Sequence, residues 1–322
     1  MRSLLFLLIS IVSVFGAKAQ IVFTENIVID SSLNVQQPRG AFPADLDGDG
    51  DMDILSSSYN GDRLVWFENV NSIGTDYIKH LISSTIANPW GVHAADLDGD
   101  GDLDVLAASL SGNHIIWYEN TDGNANFVEK QVIPATEVEF IKTVDIDGDS
   151  DLDIVWSSRL NGTLKYTLNT DGLGTFVSSF NIESNVSSIP NFHLADIDGD
   201  GAVDVVSSWS IQGGSQGVSW YKNPNGGPFG NRLVISNDVS NVTSVYAGDL
   251  DGDGDIDVAA ALAGDEKIVW YENLDGLGTF GTEQVLANNT AGAFQVRMFD
   301  MDDDGDLDVI SAANGTGKIT WF

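Results

Sequence analysis

The sequence predicts an all-β fold, a β-propeller of four-stranded blades, and three observations carry that expectation. An Asp-rich nonapeptide recurs six times, at residues 45–53, 96–104, 145–153, 196–204, 249–257 and 300–308. An aromatic residue stands 21 positions after the first Asp in five units, at Trp66, Trp117, Tyr166, Trp270 and Trp321; in the fourth the offset is 24, to Trp220. A further aromatic precedes each nonapeptide, at Phe23, Tyr77, Phe127, Phe176, Phe229 and Phe280. A fixed period of about 50 residues marks a solenoid, a propeller or an array. The runs between landmarks, such as Val105–Ser109 and His114–Tyr118, are short, apolar or alternating, and bounded by Gly, Asn and Asp, as strands are. No stretch keeps a helical apolar period over three turns. Four short strands fit one unit, and radial repetition of four-stranded sheets protects their edges, which favours the propeller over a shorter-coiled solenoid.

The elements follow in chain order. Arg2, an apolar run from Ser3 to Gly16 and the small-x-small triplet Ala17-Lys18-Ala19 read as a secretory signal peptide over residues 1–19. Residues 20–322 hold the six repeats, at about 20–70, 71–120, 121–170, 171–223, 224–273 and 274–322. Each unit runs aromatic strand, strand into the acidic loop, strand out of it, and Trp strand. The first strand, around Phe23 to Ile29, is expected to serve as the outer strand of the last blade and close the ring. Six blades are expected, or seven if the chain is a fragment. The extra residues of the fourth unit fall in the Gly/Ser/Gln stretch 212–217.

The nonapeptides read as cages for a hard cation. Calcium takes six to eight oxygen ligands, which a tight loop can supply from carboxylates at positions 1, 3, 5 and 9 and a backbone carbonyl at 7. The candidate ligands are Asp45, Asp47, Asp49, Asp51 and Asp53 in the first loop and Asp96, Asp98, Asp100, Asp102 and Asp104 in the second. In the third and fourth they are Asp145, Asp147, Asp149, Asp151, Asp153, Asp196, Asp198, Asp200, Ala202 and Asp204. The last two loops supply Asp249, Asp251, Asp253, Asp255, Asp257, Asp300, Asp302, Asp304, Asp306 and Asp308. Position 7 is Asp except for Ala202, the tolerance expected of a ligand that acts through its backbone. Gly at positions 4 and 6 lets the chain turn tightly, one of the two at positive φ. Ser150 at position 6 of the third loop and Asp303 at position 4 of the sixth break that pattern, so these sites are expected to be weaker. Apolar residues at positions 2 and 8, Leu46 and Met52 in the first loop, should anchor the loop to the blade core. Magnesium is disfavoured by its rigid octahedron, and zinc by the lack of nitrogen and sulfur donors.

The run Gly91–Ser109, GVHAADLDGDGDLDVLAAS, resembles the FG-GAP and VCBS repeats of integrin alpha-chain propellers and exported bacterial proteins. The resemblance covers nearly all of residues 20–322. It implies calcium in the acidic loops, a loop joining the two innermost strands of each blade, and ligands on the opposite face. Its members include adhesins, lectin-like modules and domains appended to enzymes, so it implies no single role.

Composition limits the partners. There are 48 acidic residues against 14 basic ones, a formal charge of −34, and no Cys. Nucleic acid and anionic membranes are therefore poor partners, and disulfide, thiolate-metal and thiol-nucleophile chemistry is excluded. The six loops hold 30 of the 48 acids, and six calcium ions would reduce the charge to −22. No transmembrane segment is expected in the mature chain.

Specificity is expected where the repeat varies. Three residues before each loop stand Phe42, His93, Lys142, His193, Tyr246 and Arg297, a long and mostly polar set expected to face a central channel. Six residues before it, nearer the opposite face, stand Arg39, Trp90, Glu139, Pro190, Thr243 and Phe294. From these sets Arg39, Trp90, His93, Glu139, Lys142, His193, Tyr246 and Arg297 are the candidate ligand-binding residues. The recurring Trp is expected in the blade cores, whereas Trp156 and Trp209 are better surface candidates. No H-E-x-x-H or phosphate loop is present, and Glu139 and Glu183 make an unconvincing dyad. The expected function is an exported calcium-binding module for glycan or protein ligands in adhesion or capture. The alternatives are a calcium-dependent polysaccharide lyase or phosphate-ester hydrolase, and a structural segment of a larger surface protein.

Overall fold

A computed structural model describes residues 35–71, 74 and 76–322. The signal peptide and the strand expected around Phe23–Ile29 lie outside the described residues.

Six antiparallel sheets follow one another along the chain. The first holds β1 (Pro38–Ala44), β2 (Asp53–Ser58), β3 (Arg63–Asn69) and β4 (Tyr77–Ser83). The second holds β5 (Pro89–Ala95), β6 (Asp104–Ser109), β7 (His114–Asn120) and β8 (Phe127–Pro134). The third holds β9 (Phe140–Val144), β10 (Asp153–Ser158), β11 (Thr163–Asn169) and β12 (Phe176–Glu183). The fourth holds β13 (Phe192–Ala195), β14 (Asp204–Ser210), β15 (Gln216–Tyr221) and β16 (Leu233–Ser236). The fifth holds β17 (Val242–Gly248), β18 (Asp257–Leu262), β19 (Lys267–Tyr271) and β20 (Gln284–Ala287). The sixth has three strands among the described residues, β21 (Ala293–Phe299), β22 (Asp308–Ala313) and β23 (Lys318–Trp321), and Ile319 on its outermost strand is 74% exposed. The architecture is that of blades in a propeller.

The blades are offset by one strand from the sequence units. The aromatic strand that opens a unit pairs backward with the Trp strand of the unit before, as β4 pairs with β3 through Trp66 opposite His80. Register is set by the repeat itself. The residue before each nonapeptide faces its ninth residue, Ala95 opposite Asp104 for example, so each acidic loop closes the hairpin of the two innermost strands. The recurring aromatic sits opposite the third residue of the second strand, as Trp117 does opposite Leu106. The fourth unit's extra residues fall in the turn between Ser210 and Gln216, so they lengthen a turn without disturbing this register.

The cores lie between blades. Leu55, Trp66, Val92, Ala94 and Tyr118 join the first two blades, and Leu106, Trp117, Ile141, Ile154 and Trp156 join the second to the third. Further clusters join the third to the fourth, the fourth to the fifth and the fifth to the sixth. The aromatic landmarks Trp66, Trp117, Tyr166 and Trp220 are buried as expected, but Trp321 is 39% exposed because nothing described packs over β23. Trp156 is corrected from surface candidate to core residue at 2% exposure, since the second and third blades close over it. The innermost strands approach closely near the face opposite the loops: a Cβ on Gly91 would meet the Glu139 carbonyl oxygen at 2.4 Å, so this contact requires glycine.

Position 2 turns inward in the first four loops, where Leu46, Leu97, Ile146 and Ile197 are buried, while Leu250 and Met301 are only partly covered. Position 8 does not anchor the first loop as expected: Met52 is 64% exposed, because the strand pairing that begins at Asp53 turns it outward.

Candidate functional site

Each acidic loop is built from backbone N–H groups folded onto its own carboxylates. The first Asp caps the turn: Asp45 Oδ2 accepts from Gly50 N at 3.0 Å, and Asp96 Oδ2 from Gly101 N at 3.0 Å. The fifth residue accepts from the seventh, as Asp100 Oδ1 does from Asp102 N at 2.9 Å and Asp200 Oδ1 from Ala202 N at 3.0 Å. Position 7 thus needs its backbone and not its carboxylate, which accounts for Ala202. Both glycine positions have positive φ, where one was expected: Gly48 at 73° and Gly50 at 93°. Ser150 (80°) and Asp303 (58°) hold the same conformation with a Cβ attached.

The ninth residue is the most constrained. Asp104 Oδ2 accepts from Leu97 N at 3.1 Å and Oδ1 from Asn120 N at 2.8 Å. Asp53, Asp153, Asp204 and Asp257 repeat both bonds. These aspartates are buried, and burial pushes their carboxyls up, to about 6 for Asp53, Asp204 and Asp257 and about 7 for Asp104 and Asp153. The backbone N–H donors only partly oppose that shift. Each oxygen keeps a second lone pair for a cation.

The carboxylates converge. Asp45, Asp47 and Asp53 bring one oxygen each within 4.8 Å of one another, as do Asp145, Asp147 and Asp153; Asp196, Asp198 and Asp204; and Asp249, Asp251 and Asp257. In the second loop the convergent set is Asp96, Asp98 and Asp100. One oxygen of each of Asp45, Asp98, Asp147 and Asp198 is buried with no hydrogen-bond partner. Orphaned carboxylate oxygens inside an all-oxygen cluster fit a hard divalent cation, which would neutralise the crowding. The fourth loop differs in its neighbour: the Lys222 ammonium pairs with Asp198 and, at 2.8 Å, with Asp200. The first, second and fifth loops have Glu68, Glu119 and Glu272 at the equivalent place.

A cavity in two parts runs along the inner strands to the face opposite the loops. A channel of about 730 Å³ is lined by all six residues expected there, Phe42, His93, Lys142, His193, Tyr246 and Arg297. His193 packs tilted at 37° against Tyr246 with centroids 3.9 Å apart, and His93 meets Phe42 edge-on at 4.5 Å. His93 Nε2 lies 3.0 Å from Thr143 Oγ1. Burial, aided by the nearby Lys142 charge, holds the His93 imidazole down to about 4 and His193 well below its usual range. Burial, with Arg297 beside it, brings the Lys142 ammonium down to about 7.

The mouth, about 500 Å³, shares Arg39, Trp90, Phe140, Asn191 and Gln295 with the channel. Arg39 lies 4.6 Å from the Trp90 ring and 5.4 Å from Tyr59, and Arg159 lies 5.6 Å from Trp90. Glu139 is not in the lining. It is fully buried and pairs with Arg159 at 3.2 Å, so its part is to hold that guanidinium. Glu183 is likewise buried, pairing with Arg232 at 3.2 Å, and the two glutamates make no dyad. Arg232 stacks on Trp209 at 4.1 Å; Trp209 is buried yet lines the mouth. Sequence reasoning missed Arg159. It stands 14 residues after the first Asp, where the other units have Tyr59, Leu110, Ser210, Ala263 and Asn314, a variability that could have flagged it.

No helix among the described residues is long and apolar enough to cross a membrane. A search of curated proteins finds no match. Among solved structures the chain is similar to a candidate 6-phosphogluconolactonase from Bacteroides uniformis ATCC 8492, at 14% identity and a TM-score of 0.50, over 72% of this chain and 68% of that one. That likeness concerns the fold alone. FG-GAP-like repeats match at residues 45–107, 96–156, 145–207, 196–260 and 254–311, spanning all six acidic loops. With its register, loops and aromatic landmarks accounted for by that repeat, the chain belongs to the FG-GAP-like repeat family.

Proposed function

We propose that the protein is an exported, calcium-stabilised propeller that captures a glycan or protein ligand, as an adhesion or binding module, at the mouth opposite the acidic loops. The observation that carries this reading is the division of labour between the two ends of the inner strands. One end repeats the same carboxylate cluster and varies little. The other is a polar and aromatic cavity assembled from residues that differ in every blade. Uniform ends serve the fold, and variable concave ends serve recognition.

Calcium is favoured over magnesium because the loops offer many flexible oxygen donors, and over zinc because they offer no nitrogen or sulfur. The leader-like residues 1–19 support export to a compartment where calcium is plentiful.

The test is a thermal melt with calcium, with magnesium and with chelator, followed by a glycan array on the calcium form. Chelation is expected to lower the Tm sharply and calcium alone to restore it. An unchanged Tm in chelator would remove the calcium reading, and an array without hits would shift the search to protein ligands.

A further inference from the structure

Cations are distributed unevenly in this protein. Acidic residues outnumber basic ones 48 to 14, yet among the described residues no Asp or Glu lines the mouth or the channel, while four basic residues do: Arg39, Lys142, Arg159 and Arg297. Elsewhere, Lys130, Lys222, Arg232 and Lys267 are each paired with a carboxylate. Within the cavity, among the described residues, only Arg159 has such a partner, Glu139 beneath it.

The two channel cations are the least satisfied. Lys142 has no carboxylate or hydrogen-bond acceptor among the described residues; its neighbours are the Phe192 ring at 5.9 Å and the charge of Arg297. Arg297 spends part of its fork on the Val296 carbonyl at 2.9 Å and on the Gln295 amide oxygen, and lies 5.6 Å from the Tyr246 ring. Two like charges held together in a lined cavity, without a counter-charge, cost free energy that an anion would recover. Beside the aromatic rings of Trp90, Phe140 and Trp209, the mouth offers amides and hydroxyls, among them Asn191, Gln216, Asn241, Thr243 and Ser188. Such neutral groups both donate and accept, which suits hydroxyls.

We propose that this cavity binds an acidic sugar, with the carboxylate of a uronic acid unit seated between Lys142 and Arg297 and its hydroxyls held by the amides of the mouth. The inference names the ligand's chemistry and so rests on the reading of this end as the binding face. Binding places a counter-charge beside Lys142 and favours its protonated form. Affinity therefore falls above about pH 7, as free Lys142 loses its proton. His93, His193 and Tyr246 also face this ammonium, and with both histidines held below their usual range their protonation does not compete near neutrality.

The experiment is calorimetric titration of the calcium-loaded protein with galacturonate, galactose and inorganic sulfate, beside the glycan array. Galacturonate is expected to bind, galactose to bind at least about tenfold more weakly, and sulfate to compete with galacturonate. Lys142→Met and Arg297→Met should each cost about tenfold or more in galacturonate affinity. Lys142→Gln, which keeps length and polarity, serves if the methionine variant does not fold. Equal affinity for galactose and galacturonate, or unchanged affinity in the variants, would overturn the acidic-sugar inference while leaving the binding face intact. No binding by any sugar here or on the array would overturn the acidic-sugar inference together with the glycan form of the proposed function.

Discussion

The side-chain amide of Asn169 donates to the carbonyl oxygen of Leu97 at 2.8 Å, across the boundary between the third and second blades. Its backbone N–H meanwhile donates to Asp153 Oδ1 at 2.7 Å. One residue thus holds the acidic loop of its own blade and that of the blade before. Asn120 does the same with Leu46, Asn223 with Ile146, and Asn273 with Ile197.

Asn169→Ala should therefore act on two loops. Losing a buried hydrogen bond costs about 1–3 kcal/mol. Thermal melts of the calcium form should show that loss, and calcium titration should show weakened binding at more than one site. Weakening of a single site would mean that the bridge carries no coupling.

The buried ninth-position carboxyls give the metal-free protein an inverted pH response. Asp53, Asp104, Asp153, Asp204 and Asp257 bind their protons more tightly folded than unfolded, where the ordinary value is 3.8. The folded form therefore carries extra protons between about pH 4 and 7, and its stability falls as pH rises through that window. Calcium, which requires the ionised form, should cancel or reverse the trend. Melts in chelator from pH 4.5 to 7.5 should show a falling Tm; a rising one would contradict the burial account.

Lys222 places an internal cation on the fourth loop. That site should be the weakest for calcium, because the ammonium must leave Asp198 and Asp200 first. Lys222→Met should strengthen the fourth site in a calcium titration and lower the Tm in chelator. A variant with unchanged calcium binding would show that the lysine yields its place without cost.

Ser150 stands at φ 80°, a conformation that favours glycine. Ser150→Gly should relieve strain of about 1 kcal/mol and tighten calcium at the third loop. Ala202→Asp is the contrasting variant: position 7 works through its backbone, so metal affinity should change little.

Much of this was legible in the sequence because the repeat states each constraint six times. The Asp positions, the inward set from Phe42 to Arg297 and the extra turn in the fourth unit all follow from alignment within one chain. Three matters were not legible. The burial of Trp156 depends on how closely two blades approach, which no single unit encodes. Glu139 aligns with mouth residues yet is buried beneath Arg159, because Arg159 comes from the turn that follows β10. The bridging role of Asn169 rests on a contact with a residue 72 positions away. Its recurrence three residues after the aromatic landmark in five of the six units marked it as regular but not as shared between blades.

The segregation of charge along the inner strands has a consequence for encounter in solution. Carboxylates crowd one end of the inner strands, while four basic groups line the cavity that runs from beside those loops to the opposite face, with no acid among its described lining residues. Such a molecule is an axial dipole, and near an anionic chain or surface it experiences a torque before any contact. The acidic end is turned away and the mouth is turned in. Filling the loops with calcium weakens the repulsive pole and leaves the attractive one untouched. Calcium in the loops, if it stabilises the blades as proposed, would then also set how readily the ligand is approached.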